Sequence, residues 1–364
     1  MASLLFSVAH AVLEKRQTGN YTETKNWRDS CTKATCDLKY SYWGYLPSIA
    51  ANSVFAALFG ISLLGFLVQA AICRKRFWGF SFAMSAGSFL EVLGYIGRIV
   101  SFSNPFNENG FLIQIVCLTI APAFYAAAIY FCLRSIVLTF GPANSRLPAT
   151  WYPRIFIPCD VVSLLLQAGG GGWASIASHS GHSAAGGNHI MQAGLAFQVL
   201  TLLIFIILAS DFTFKTYSRY MSLGSAVAFD QTHNDLRKSR KFQLFLCALC
   251  FATLCIFTRS VYRVAELSEG WTGRLIKTQS YFIGLEGAIV SAGVLALNMF
   301  HPGFCFGEGW DMEKAATGSG RREKKGRKWG FGGKGTKGGT EAERSGGSSD
   351  GEIFGEEREV REKV

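Results

Sequence analysis

Charged residues are scarce in this chain, and they are unevenly distributed. They make up 17% of the 364 residues, against 49% for the hydrophobic types. They gather at the two ends and in short patches, so long apolar windows remain between them. A soluble domain would show shorter apolar runs broken by amphipathic periodicity. The distribution excludes an ordinary water-soluble globular protein and favours an all-α, polytopic membrane protein.

The signature motifs of common enzyme classes are also missing. The sequence has no H-E-x-x-H pair for zinc, and Gly333-Lys334 is followed by Gly335 rather than by the serine or threonine of a phosphate-binding loop. No nucleophile–base pair or metal-ligand set has a recognisable spacing. We therefore expect no catalytic site, no metal, no cofactor and no nucleic-acid partner.

Seven apolar windows are each long enough to cross about 30 Å of hydrocarbon, which takes roughly 20 helical residues. They predict a seven-helix transmembrane bundle with spans near residues 47–72, 78–100, 111–138, 151–176, 190–210, 242–262 and 281–300. The predicted transmembrane domain covers residues 45–303 and follows a polar N-terminal region, 1–44. The tail, 304–364, is rich in glycine, lysine and glutamate and is predicted to be disordered.

Basic residues in the short connections predict the orientation of the bundle. The first, third and fifth connections carry lysine or arginine, and so does the tail. The second and fourth carry none, although the sixth breaks the alternation with Arg274 and Lys277. Because basic loops stay on the cytoplasmic side, we expect the N-terminus outside the cell and the C-terminus inside it.

The N-terminal region has two features of an extracellular segment. Asn20-Tyr21-Thr22 is an acceptor for N-glycosylation. Cys31 and Cys36 can close a small disulfide loop in an oxidising compartment, and two free thiols are the alternative. The first residues resemble a signal peptide weakly, since no basic residue precedes a short apolar core, and cleavage stays open.

Polar and charged residues interrupt the apolar windows, and each group shares one helical face. A charge at the bilayer centre costs roughly 2.5–3.5 kcal/mol on insertion scales, so such residues are expected to face the bundle interior. The candidate site residues are Glu91, Tyr95 and Arg98 in the second window, Asp160, Ser163 and Gln167 in the fourth, Gln198 in the fifth, Arg259, Tyr262, Arg263 and Glu266 in the sixth, and Glu286 in the seventh.

Three interpretations of these residues stay open. In the first, acids and bases neutralise each other and only lock the bundle, with Asp160 and Glu91 pairing with Arg98 and Arg259. In the second, they line a polar cavity that binds a lipid headgroup or relays a proton. The third places Arg259 and Arg263 at the outer interface, where their charged ends reach water.

Four consecutive glycines end the fourth window, at Gly169, Gly170, Gly171 and Gly172. Glycine weakens a helix in water, but in a membrane small residues let backbones approach closely. Irregular backbone is tolerated at membrane depth only beside protein or a wet cavity. The run therefore predicts either an outward-opening polar cavity at the level of Gln167 or close packing against a neighbouring helix.

Six segments carry a resemblance to a known family. They are Y-L-P-S-I-A-A-N (45–52), E-V-L-G-Y-I-G-R (91–98), D-V-V-S-L-L-L-Q-A-G-G-G (160–171), G-L-A-F-Q (194–198), R-S-V-Y-R-V-A-E-L-S-E-G (259–270) and N-M-F-H-P-G (298–303). In order and spacing, the chain resembles the fungal lipid-translocating exporters, whose founding members confer resistance to aminocholesterol and to sphingoid long-chain bases. It departs from the family near the last span, with Gln279 in place of an acid and Glu286 in place of aspartate.

The resemblance implies a seven-span plasma-membrane protein that moves amphipathic lipids or toxic amphipaths and contributes to lipid homeostasis or resistance. In this hypothesis the amine of a sphingoid base or aminosterol meets Asp160, Glu91 or Glu286, while its apolar body stays in the lipid. The expected partners are membrane lipids and a small amphipathic substrate, and the oligomeric state stays open. The alternative is a seven-helix lipid sensor that signals without transport.

Overall fold

Seven long helices dominate the computed structural model, which describes residues 31–38, 41–73, 77–141, 144–180, 182–224, 234–270 and 273–306. They are α1 Ile49–Ile72, α2 Trp78–Ser103, α3 Glu108–Phe140, α4 Trp151–His179, α5 Ala185–Leu223, α6 Arg240–Ser268 and α7, which joins Gln279–Tyr281, Phe282–Ala288 and Ile289–Met299. All seven spans are long and apolar enough to cross a membrane. The predicted seven-helix, all-α fold is confirmed.

All described residues belong to one compact unit, Met1–Met312. The second unit, Glu313–Val364, lies outside the described residues, as does Asn20, so the disordered tail and the glycosylation stay predictions. A disulfide joins Cys31 and Cys36.

The largest difference from the predicted spans is in α5. The apolar window predicts a helix over 190–210, whereas α5 runs from Ala185 to Leu223. Beyond the window, Asp211 forms ion pairs with Lys215, one turn further along α5, at 3.0 Å and with Arg146 at 2.8 Å. The hydrogen bonds that Arg146 donates to Asp211 raise the pKa of its guanidinium above the ordinary value. Hydropathy predicts the apolar part of a helix, whereas the backbone hydrogen bonds continue past it.

Helices that are neighbours in sequence pack against each other around the bundle, and α7 closes it by contacting both α6 and α1. Helix α3 contacts α2, α4 and α6. The connections fall at two ends. We name them the Tyr45 end, which holds residues 41–48 and the turns from α2 to α3 and from α4 to α5, and the Arg146 end, which holds residues 144–150. The side of the membrane that each end faces stays a prediction.

Glycines allow the close approach of two helix pairs. A Cβ atom at Gly97 would lie 2.9 Å from the carbonyl oxygen of Gly110, so α2 and α3 are nearly in backbone contact. A Cβ atom at Gly194 would lie 2.9 Å from the carbonyl oxygen of Ser163, which brings α5 equally close to α4. Such contacts between small residues are a common way to pack helices in a membrane.

The run Gly169–Gly172 is fully helical within α4. Only one of its glycines, Gly170, is buried, and it packs against the α5 backbone at Met191. Gly169 and Gly172 face open space, with no atom within 4 Å of an added Cβ. Of the two interpretations of the run, close helix packing therefore accounts for Gly170.

Candidate functional site

A cluster of buried charges connects α2, α6 and α7 inside the bundle. Arg259 of α6 lies 2.6 Å from Glu286 of α7 and 3.9 Å from Glu91 of α2. Arg263, one turn further along α6, lies 3.4 Å from Glu286 and 2.6 Å from Glu266. The cluster therefore contains three carboxyl groups but only two guanidinium groups. Arg259 is 1% exposed, so the interpretation in which it reaches the outer interface is wrong for this residue.

Irregular backbone at two positions builds this cluster. Pro122 lies inside α3 and has no N–H, so the carbonyl oxygen of Leu118, four residues earlier, lacks its helical donor. The guanidinium of Arg259 donates to that carbonyl oxygen instead. Glu286 lies in the π-helical segment Phe282–Ala288, where the wider helical turn changes the direction of the side chains. In this segment the Glu286 carboxylate lies between Arg259 and Arg263. Such segments often occur at functional sites.

The cluster keeps unused hydrogen-bonding capacity. Both carboxylate oxygens of Glu91 and one of Glu286 are buried and accept no hydrogen bond from a described residue. Arg263 likewise has one buried nitrogen, Nη2, that donates none. Buried polar atoms in this condition are costly, so the cluster is suited to bind water or a polar group of a ligand.

A cleft of about 60 Å³ lies beside the cluster, toward the Tyr45 end. Arg98, Arg263 and Glu266 line its polar part, and apolar side chains from α3 and α5, including Phe111, Ile115, Met191 and Leu195, line the rest. A second space of about 10 Å³ adjoins it beside Gln198 and Arg259. Three of the sequence-predicted residues, Arg98, Arg263 and Glu266, thus share one cleft with apolar side chains of α3 and α5.

Arg98 occupies a separate position from the carboxylates. Its three guanidinium nitrogens donate to Asn52 at 3.0 Å, to Gln114 at 3.0 Å and to the hydroxyl of Tyr45 at 2.9 Å. The ring of Phe282 lies 3.8 Å from its carbon Cζ. Arg98 forms no ion pair within the described part of the chain. The predicted pairing of Arg98 with Asp160 or Glu91 is therefore wrong, because neutral oxygens from α1, α3 and the segment before α1 surround it.

The two tyrosines among the sequence-predicted residues, Tyr95 and Tyr262, lie on the same helices as the charged cluster. Tyr95 is fully buried and stacks on Phe59 of α1, with 5.7 Å between ring centroids. Its hydroxyl has no hydrogen-bond partner among the described residues. The Tyr262 hydroxyl donates to Glu266 at 3.4 Å. Tyr262 therefore helps to orient the carboxylate that lines the cleft.

The polar residues of α4 lie apart from this site. Asp160 is 3% exposed, and its carboxylate lies near the Tyr130 hydroxyl of α3 but accepts no hydrogen bond of usual geometry. Ser163 donates to the Asp160 carbonyl oxygen at 2.7 Å, and Gln167 donates to Gln198 at 3.1 Å. The predicted pairing of Asp160 with Arg259 is wrong, because α4 packs chiefly on α3 and α5 while Arg259 points to α2, α3 and α7.

Sequence reasoning missed four residues of the site: Tyr45, Asn52, Gln114 and Phe282. Asn52 and Gln114 are single uncharged polar residues in apolar windows, so a charged helical face does not identify them. Tyr45 and Phe282 gave no such signal, because aromatic residues near span ends are typical of interface anchors.

Comparison with known proteins identifies relatives that match most of the chain. Residues 84–309 match the family model described as "RTA1 like protein". The chain is 39% identical over 287 residues to the sphingoid long-chain base transporter RSB1 of Saccharomyces cerevisiae, which covers 73% of this chain and 74% of that relative. It is 29% identical to protoporphyrin uptake protein 1 of the same species, and the alignment covers 77% of this chain and 97% of that relative. It is 32% identical to protein RTM1 of Saccharomyces cerevisiae, and that alignment covers 61% of this chain and 66% of the relative. No solved structure matches the chain.

Proposed function

This chain belongs to the RTA1-like family, and we propose that it translocates amphipathic lipids with a cationic head, such as sphingoid bases and sterol-like amines, across the plasma membrane. The transporter named among its relatives supports the movement of such lipids. One observation carries the choice of a cation: the Glu266 carboxylate lines the cleft, and its partner Arg263 also has Glu286 within 3.4 Å.

Glu266 is the carboxylate that meets the amine in this proposal. It lines the cleft, and its partner Arg263 lies between it and Glu286, 2.6 Å from the first and 3.4 Å from the second. Arg263 can therefore shift toward Glu286 when an amine takes its place at Glu266, and no buried charge loses its counterion. The exchange keeps the cost of desolvation low, which an unpaired charge would raise.

The apolar wall of the cleft receives the start of the lipid chain. Phe111 and Ile115 of α3 and Met191 and Leu195 of α5 form this wall beside the charged side chains. In this proposal the cleft receives the headgroup and the first carbons of the chain, and the rest of the lipid stays in the bilayer. With the N-terminus outside, the cleft opens toward the outer leaflet, where an exporter would release its lipid.

Transport of a fluorescent long-chain base by the purified full-length protein in liposomes tests the proposal. We expect the protein to speed transfer between leaflets, and Glu266→Gln to slow it about tenfold, as expected for the loss of a charge-assisted hydrogen bond. Asp235→Asn removes an exposed carboxylate at the Arg146 end and should leave the rate unchanged.

Two results would contradict this mechanism. Transfer no faster than in empty liposomes would remove transport and favour a lipid sensor. A normal rate in Glu266→Gln, with normal protein amounts, would remove Glu266 as the carboxylate that binds the amine.

A further inference from the structure

The charge of Arg98 is not balanced by any carboxylate that the structure describes. Its side chain is 1% exposed, and its three hydrogen-bond acceptors, on Asn52, Gln114 and Tyr45, are all neutral oxygens. Neutral acceptors orient a guanidinium but do not neutralise it, and buried charges in proteins are normally paired. Arg98 is thus a fixed positive charge in a membrane-embedded cleft.

The geometry around Arg98 leaves part of its hydrogen-bonding edge for a ligand. A guanidinium has five N–H groups, and the three hydrogen bonds described here use three of them. The remaining two lie on the terminal nitrogens. The rings of Phe282 and Trp43 lie 3.8 and 4.7 Å from its carbon Cζ and cover the planar surface of the guanidinium, so its N–H edge is the part left for a ligand. An arginine edge is well suited to the oxygens of a phosphate group.

The same cleft presents one cation and one carboxylate that are complementary to the two charges of a zwitterionic head. Arg98 and Glu266 both line it, and Glu266 is the carboxylate that binds an amine in the proposed function. We propose that Arg98 binds the phosphate group of a lipid whose amine lies at Glu266. The site would then prefer a phosphorylated long-chain base, or another amine-bearing phospholipid headgroup, to the free base. The amine half of this inference rests on the proposed function, whereas the phosphate half rests on Arg98 alone.

Binding to the purified full-length protein in nanodiscs of uncharged lipid tests the phosphate site. The probes are a radiolabelled long-chain base and its 1-phosphate. We expect the 1-phosphate to bind the wild type about tenfold more tightly than the free base, the gain typical of one charge-assisted contact. Arg98→Gln should remove this preference, and Arg98→Lys should keep part of it. Arg274→Gln, an exposed arginine at the same end, should leave it unchanged.

Gln114→Glu provides a test that does not depend on the loss of a buried side chain. It places a carboxylate of the same shape 3.0 Å from the Arg98 guanidinium and balances its charge in place. We expect this variant to fold as the wild type does and to lose the preference for the 1-phosphate. A preference that persists in both Gln114→Glu and Arg98→Gln would overturn the phosphate site.

Competition identifies the source of the phosphate group. Displacement of the 1-phosphate by phosphatidylethanolamine supports a phospholipid headgroup as a second ligand of the site. Displacement by inorganic phosphate at equal concentration would overturn the lipid part of the inference. Failure of the wild type to bind the free base would count against the proposed function, while the phosphate site would still stand on the 1-phosphate and its loss in Gln114→Glu.

Discussion

Arg259 of α6 and Glu286 of α7 form a buried ion pair, with 2.6 Å between Nη2 and Oε1. The same Nη2 atom donates to the Leu118 carbonyl oxygen of α3 and lies 3.9 Å from Glu91 of α2. One guanidinium thus connects four helices. Desolvation offsets much of the attraction in a buried pair, so we infer that the cluster specifies helix register and a binding geometry more than it adds stability.

Loss of one partner of this pair is expected to be costly. Arg259→Gln leaves Glu286 and Glu91 buried beside each other without their shared cation, and the free energy of unfolding should fall by about 3–5 kcal/mol. Denaturation of the protein in detergent micelles measures it. The double variant with Glu91→Gln should recover part of the loss, because Glu286 keeps Arg263 at 3.4 Å whereas Glu91 has no other ion pair among the described residues. Arg146→Gln breaks an ion pair whose side chains are 63% and 25% exposed, and it should change little. An equal fall in the free energy of unfolding for Arg259→Gln and Arg146→Gln would contradict the higher cost of breaking a buried ion pair.

Pro122 is expected to matter through the carbonyl oxygen that it frees. Pro122→Ala restores a backbone N–H that competes with Arg259 for the Leu118 carbonyl oxygen. We expect the variant to be at least as stable as the wild type but to transport about fivefold more slowly, equivalent to about 1 kcal/mol of lost positioning. Pro158→Ala is the matched control, since Pro158 lies inside α4 on an exposed surface. An unchanged rate in Pro122→Ala would show that this carbonyl oxygen does not position Arg259.

The four glycines of α4 should respond differently to the same substitution. Gly170→Ala brings a methyl group into the α5 backbone near Met191, and the helices must separate. We expect a loss of about 1–3 kcal/mol in the free energy of unfolding, as for overpacking. Gly169→Ala points into open space and should be neutral or stabilising, because alanine is the better helix former. Thermal unfolding in detergent compares the two, and equal effects would contradict the close packing at Gly170.

Asp160 is expected to lie outside the transport mechanism, although its position in a predicted span made it a candidate. It is buried, and it lines neither of the two clefts described. Asp160→Asn keeps the shape and removes an uncompensated charge, so the variant should unfold at the same or a higher temperature and move long-chain base at the normal rate. Slow transport in a stable, well-expressed Asp160→Asn protein would return Asp160 to the mechanism as an amine acceptor or proton carrier.

The fold was predictable because a membrane imposes a strong rule on sequence. Each span needs about 20 apolar residues, and every backbone polar group must be bonded within the segment, so seven windows imply seven helices. Helical periodicity also identified Glu91, Arg259 and Arg263 as residues that face the interior. The ends of α5 were not predictable in the same way, because residues such as Asp211 extend the helix outside the apolar core.

The site itself was only partly predictable. Periodicity gives the face of a helix but not the helix that it meets. Asp160 was therefore expected to pair with arginines that face other helices, and Arg98 to pair with a carboxylate rather than with neutral oxygens. The neutral cage of Arg98 depends on Asn52 and Gln114, which come from two other helices. No local pattern in the chain connects them to Arg98.

The seven spans, the interior-facing charges and the resemblance to a lipid-exporting family could be read from the chain alone, because each depends on local composition or on segments in fixed order. Which charges meet depends on how the helices pack. The freed carbonyl oxygen of Leu118 in α3 and Glu286 in the π-helical segment of α7 both meet Arg259, whereas Arg98 lies among neutral oxygens. Those contacts join residues far apart in the chain, and they exist only when the packed helices bring them within a few ångströms of each other.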